Sequence, residues 1–183
     1  YIGYIANINR ILVVSTYDQA LYVFNRLQEG TSINRERTAP GLNITRGHFT
    51  IGRANLDLYS QDIGAPFEQV TGFDAMVGGS PTNIAIGASR LGLAATVLTA
   101  VGTDRAGDFV LRYLEDEGVD TSFVPRIEDK LTSLALLGVQ PPDSFPLSFY
   151  REDPADIYLA PSDVDAIDLS TVRSIEVSGN ALA

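Results

Sequence analysis

Four short groups of residues have the types and spacing to handle a small polar ligand. In Arg53-Ala54-Asn55-Leu56-Asp57-Leu58-Tyr59 the polar side chains Asn55, Asp57 and Tyr59 alternate with leucines. A strand here would put an amide and a carboxylate side by side on one face, able to donate to and accept from sugar hydroxyls. The same pattern also fits a solvated polar face. Gly78-Gly79 precedes a helical stretch whose first turn holds Asn83. Adjacent glycines leave the backbone open to a ligand, and a helix N-terminus offers free N–H groups. The alternative is a tight strand-to-helix turn with Asn83 as a local cap. In Tyr150-Arg151-Glu152-Asp153 the guanidinium can grip a carboxylate or phosphate with two prongs. It can equally pair with Glu152, Asp153 or Asp156 at the surface, where such pairs contribute little. In Gly102-x-Asp104-x-x-Gly107 the structural reading is favoured: Asp104 caps a helix and Gly107 lets that helix approach the sheet.

These groups need elements to position them. Residues 49–52 read as a strand leading into the alternating stretch 53–59, 61–66 as a loop, and 67–77 as containing another strand. Ser80 is placed to cap the next helix, with Pro81 at its first position and Ile84, Ala85, Ala88 and Leu91 as its apolar stripe. Gly92 ends it. Residues 94–101 form a strand, and Asp104 caps a helix over 105–117 that buries Phe109, Val110, Tyr113 and Leu114 and stops at Gly118. Residues 131–140 and 145–150 are two strands around Pro141-Pro142-Asp143-Ser144. Pro161 and Ser162 start a short helix or turn, and 172–178 is a buried strand before Gly179. Strands alternating with glycine turns and helices point to βαβ units, a largely parallel sheet and the α/β class. Residues 1–47 differ: 11–14 suggests a short buried strand, Thr16 with Gln19 a capping box, and Ala20, Val23, Phe24 and Leu27 a helix ending near Gly30, followed by a polar linker over 31–47.

Composition narrows the function. The 183 residues, 45% hydrophobic and 20% charged, suit a globular protein with a sizeable core. A net charge of −10 argues against nucleic acid as partner, since phosphate backbones call for clustered Lys and Arg. An anionic small molecule would need local arginines. No run of 18 apolar residues suggests a membrane span. The absence of cysteine excludes disulfides and thiolate metal sites and fits a reducing cytoplasm, and the single histidine, His48, excludes a multi-histidine centre. No G-x-G-x-x-G or G-x-x-x-x-G-K-[ST] loop occurs.

Taken together, Gly78, Gly79, Pro81, Asn83, Ala85, Gly92 and Gly102 follow the order and spacing of the N-terminal signature of the ribokinase-like (PfkB) carbohydrate kinases, and 101–107 resembles that family's next block. The likeness covers residues 48–183, is strongest toward the family's sugar-acid kinases, and leaves 1–47 an unassigned extension. It implies a partial Rossmann-like three-layer sheet with a small β-lid built from strands near 67–77 and 131–150. It also implies that Asp57, Gly78, Gly79 and Asn83 hold sugar hydroxyls with Asn55 nearby, and that Arg151 with Tyr150 faces the acid end. The implied reaction is ATP-dependent phosphorylation of a sugar acid, with Mg²⁺ on the nucleotide, in the cytoplasm and within inositol catabolism. The family's second signature, Gly-Ala-Gly-Asp, carries the base and the anion hole, and no such run occurs in this sequence. The chain therefore reads as the N-terminal half of such a kinase, without catalytic residues or activity of its own. Two other outcomes stay open: a non-catalytic sugar-binding or interaction module, and a partial chain that self-associates through its lid or an exposed sheet edge.

Overall fold

The computed structural model describes residues 5–6, 11–12, 47–168 and 172–177. The helix and linker expected within 13–46, and the turn at Gly179, lie outside the described residues. Near the N-terminus β1 (Ile5–Ala6) pairs with β2 (Ile11–Leu12) in antiparallel fashion.

Two sheets organise the rest. The first is parallel, ordered β11-β3-β6, from β3 (Gly47–Ile51), β6 (Ala95–Leu98) and β11 (Val172–Val177). The second contains β4 (Asn55–Ser60), β5 (Phe73–Gly78), β9 (Ser133–Leu137) and β10 (Leu147–Tyr150), ordered β10-β9-β4-β5. Within it β4 runs parallel to β9 and antiparallel to β5. A small parallel pair joins β7 (Val101–Gly102) to β8 (Arg126–Ile127). Residues 49–59 are thus two strands in two different sheets. The chain passes from one to the other through Gly52, Arg53 and Ala54, and that turn sets the site.

Helix α1 (Ser80–Arg90) packs on β3 and β6. Ser80 was expected to cap it, but Gly79 occupies the N-cap position and no side chain caps it there. Instead the Thr82 hydroxyl donates back to the carbonyls of Gly78 (2.9 Å) and Gly79 (2.7 Å). A hydroxyl inside the first turn thereby holds the glycine pair in place. Helix α2 (Arg105–Asp116) is capped as expected, Asp104 accepting from the Gly107 N–H at 2.8 Å. A short helix α3 spans Pro161–Asp165.

One apolar core unites these layers. Ala85, Ile86 and Ala88 of α1, Val110 and Leu114 of α2, Ala95 and Val97 of the first sheet and Val77 of the second form a single buried cluster. On the opposite face of the first sheet, Phe49, Leu98 and Ile167 pack with Phe123, Leu159 and Ile175, and the Phe49 and Phe123 rings meet edge to face at 5.9 Å. The two sheets are therefore held by shared burial rather than by continuous strand pairing, since non-directional hydrophobic burial tolerates a break between ladders.

A carboxyl group interrupts this order. Glu176 of β11 lies opposite Thr50 of β3, is fully buried, and its oxygens have no hydrogen-bond partner among the described residues. Burial pushes its pKa up to about 7. The native state therefore holds a proton there that the unfolded chain releases near pH 4.5. Stability contributed by the neutral acid is complete below about pH 4.5 and is lost as pH rises through 7, by roughly 3 kcal/mol from the linkage relation. Glu176→Gln should flatten that decline. Thermal midpoints measured from pH 5 to pH 8 are expected to decline more steeply in the parent than in the variant, whose remaining slope comes from groups such as the partly buried His48. Equal slopes would show that Glu176 is not the titrating group.

Candidate ligand site

The site begins with strand register. In the antiparallel ladder of β4 and β5, Asn55 faces Gly78 and Asp57 faces Met76. Asn55 and Asp57 share a face because two residues separate them in a strand, and the Asn55 amide donates to the Asp57 carboxylate. Gly78 is what allows this pair to stand. A Cβ there would fall on both the Asp57 carboxylate and the Asn55 amide. Gly79 answers a second constraint. Its φ of +110° favours glycine, and a Cβ would fall on the carbonyl oxygen of Arg53. The two glycines thus let the β5–α1 junction press against the β3–β4 turn.

Burial raises the pKa of Asp57. Hydrogen bonds from Tyr59 and Asn55 and the positive charge of Arg53 act against that rise. Asn55 is buried, and its Oδ1 has no partner among the described residues. Asn83 lies in the first turn of α1 with its backbone N–H bonded to the Gly79 carbonyl at 3.1 Å. Its side chain is exposed and does not cap the helix.

The neighbouring strands complete the face. Register runs from Asp57 to Ala135 of β9 and on to Phe149 of β10, so Phe149 points to the side of Asp57. Tyr150 belongs to the next row, with Leu134 and Leu56, on the other face, and is 61% exposed. The structure therefore brings Asn55, Asp57, Gly78 and Gly79 together and sends Tyr150 away from them.

Arg151 pairs with Asp156, whose side chain is only 5% exposed and also accepts from the Ser133 hydroxyl at 3.1 Å. Of the three acids near it in sequence, Arg151 thus takes the buried one. Asp153 instead pairs with Lys130 and accepts from the Tyr158 hydroxyl at 2.7 Å. The strand pattern did not single out Arg53. Its guanidinium stands 4.9 Å from the centre of the Phe149 ring, with Arg151, Asp156 and Asp57 near enough to shift its pKa. One signal was available: positions 53, 55, 57 and 59 are all polar, so the alternation extends one step further back.

An open hollow of about 750 Å³ lies beside Arg151. It is lined by Asp104, Thr132, Leu134, Phe149 and Tyr150 among others, and not by Asn55 or Asp57. It is thus a wider opening around the β10 edge rather than the Asn55–Asp57 cradle itself. Asp104 on its rim is tied into the fold. Its carboxylate accepts from the Gly107 N–H, the Thr132 N–H and the Thr132 hydroxyl, each at 2.8 Å. The Thr132 hydroxyl is also 2.9 Å from the Gly102 N–H. The aspartate and glycines of 102–107 form a structural knot, as their spacing suggested. Among the described residues no cluster of acidic or histidine side chains could hold a metal ion, and no helix is long and apolar enough to cross a membrane.

Comparison with known proteins supplies the context. A model of the pfkB family carbohydrate kinases matches residues 48–183. The 5-dehydro-2-deoxygluconokinase of Geobacillus kaustophilus is 39% identical over 136 residues, which is 73% of this chain and 40% of that kinase. The crystal structure of a PfkB protein from Polaromonas sp. JS666 superposes with a TM-score of 0.65 at 29% identity, covering 71% of this chain and 44% of that one. An uncharacterized sugar kinase from Pyrococcus horikoshii, solved in complex with ATP, gives a TM-score of 0.59 at 28% identity, covering 68% and 39%. The fold is thus the α/β ribokinase-like one, and the chain spans about 40% of the length of the curated relatives it matches.

The two glycine-bearing motifs make different predictions. Gly78→Ala forces Asp57 and Asn55 out of place and is expected to cost about 1–3 kcal/mol, as overpacking does. Asp104→Ala strands the Thr132 and Gly107 N–H groups and is expected to cost about 1–3 kcal/mol. Urea midpoints measure both. A Gly78→Ala midpoint within error of the parent would mean the pair adjusts freely.

Proposed function

Because the chain belongs to the pfkB family of carbohydrate kinases, we propose that it forms the sugar-holding part of an ATP-dependent kinase for a sugar acid of the 5-dehydro-2-deoxygluconate type. The reading places that kinase in the cytoplasm. The observation that carries it is the Asn55–Asp57 pair set against the side-chain-free backbone of Gly78 and Gly79. Such a pair reads hydroxyls in both senses, since the amide and the carboxylate offer donor and acceptor positions a short distance apart. The buried Asn55 Oδ1 is an acceptor still to be satisfied, and a sugar hydroxyl supplies the missing donor.

The roles follow from chemistry. Asp57 and Asn55 orient the sugar, the Gly79 backbone allows close approach, and Asn83 stands at the first turn of α1 facing solvent, available to a further hydroxyl. Arg151 meets the acid group. The second sheet acts as a lid, and its closure excludes water that would otherwise compete for the phosphoryl group. The described residues hold no acidic or histidine cluster for a metal ion, and the sequence has no G-x-x-x-x-G-K-[ST] loop. The reading therefore assigns nucleotide binding and the catalytic base to other parts of the kinase, and this chain alone is expected to transfer no phosphoryl group. Burying the exposed apolar side chains at the lid edge, among them Leu147 and Phe145, is the proposed driving force for self-association.

Titration calorimetry with 5-dehydro-2-deoxygluconate, with and without ATP, tests this. The expected result is sugar-acid binding that ATP leaves unchanged, weakened at least tenfold by Asp57→Ala. An absence of sugar binding overturns the reading. Phosphoryl transfer by the 183-residue chain, lost in Asp57→Ala, overturns its division of labour.

A further inference from the structure

We propose that Arg53 is a second anchor for the ligand's carboxylate, acting with Arg151 to select acids over neutral sugars; this rests on the sugar-acid reading above. Arg53 sits in the turn between β3 and β4, two residues before Asn55, and its carbonyl oxygen is the atom against which Gly79 is pressed. Its place is thus set by the same close approach that builds the Asn55–Asp57 cradle. The guanidinium lies over the Phe149 ring, and Phe149 shares its register row with Asp57. An arginine held by a ring face keeps its planar edge of N–H donors free for an oxyanion, and the ring fixes the plane without using a donor.

The surroundings show why an anion belongs there. Arg53 makes no ion pair among the described residues, and its Nε is buried without a partner. The Nε of Arg151 is buried and unpartnered in the same way, while its other arm is committed to Asp156. Two guanidinium groups thus stand near enough to repel, and the charge of Arg151 is the second cause, after burial, that lowers the pKa of Arg53. The two nearby carboxylates are both engaged. Asp156 is held by Arg151 and Ser133, and Asp57 is bonded by Asn55 and Tyr59. A ligand carboxylate brings two acceptor oxygens and one negative charge, which relieves the repulsion and fills donors that Asp57 and Asp156 leave open. A neutral group of the same size gives the acceptors without the charge.

The test compares 5-dehydro-2-deoxygluconate with its carboxamide by titration calorimetry on the chain and on Arg53→Gln and Arg53→Lys. The parent is expected to prefer the acid at least tenfold. Arg53→Gln should lose that preference while binding the carboxamide within about twofold of the parent. Arg53→Lys, which keeps the charge but not the planar fork, should fall between them for the acid. If Arg53→Gln binds neither compound, Phe149→Leu decides: weaker binding of the acid alone supports the anchor, and equal loss of both or of neither overturns it. An undiminished acid preference in Arg53→Gln overturns the role of Arg53 and leaves the sugar-acid reading standing. A parent that binds neither compound, or both equally, overturns the sugar-acid reading itself.

Discussion

Two missing side chains set the geometry of this protein. Gly78 leaves room for the carboxylate and amide that would otherwise collide with its Cβ, and Gly79 lets the chain turn hard against the carbonyl of Arg53. Everything polar at the site follows from that contact. It fixes the end of β5, the start of α1 and the turn from the first sheet into the second. Thr82 locks the arrangement by bonding both glycine carbonyls. A packed interior has no slack to absorb an extra methyl group at such a point, so the constraint is steric before it is chemical.

The polar groups divide into two kinds according to whether their bonding is complete. Around Asp104 every interaction closes on the protein itself: Gly107, Thr132 and Gly102 are tied together. Such a network stiffens the junction of β7, α2 and β9. Around Arg53 and Asn55 bonding is left open, with buried atoms lacking partners among the described residues. An unmade buried hydrogen bond costs more than a made one contributes, so the two motifs differ in how much of their bonding the protein itself completes. The same contrast separates the two glycine motifs, which look alike as sequence.

Glu176 breaks this division, being open-bonded in the core of the first sheet and away from the cradle. Its neighbour Thr50 also carries a hydroxyl without a partner among the described residues. Burial keeps the acid protonated to about pH 7, which spares the core a bare charge. The second sheet raises the opposite issue. Its edge strand β10 is exposed along its whole length, with Phe149 partly covered by Arg53 while Leu147 and Tyr150 face outward.

Much of the fold was legible in the residues. The stop glycines, the Asp104 cap, the buried Val110 and Leu114 of α2 and the alternation over 55–59 each act within a few residues, where local sterics and hydrogen bonding decide the outcome. The stripe of α1 held only at Ala85 and Ala88, since Leu91 lies beyond the helix and is exposed while Ile86 is buried in its stead. Locality also explains the misreadings. Ser80 looks like a cap, but the glycine before it takes that position. The stretch 49–59 looks like one strand with a polar end, yet it divides between two sheets. What only tertiary structure decided is which side chains from distant strands meet. The pairing of β9 with β10 puts Phe149, not Tyr150, on the face of Asp57, and a shift of one residue would exchange them. Likewise Arg151 chose Asp156 over two nearer acids because that carboxylate is buried beside Ser133, where an ion pair is least screened by water. Sequence specified the chemistry available, and strand register, a long-range property, selected the groups that converge.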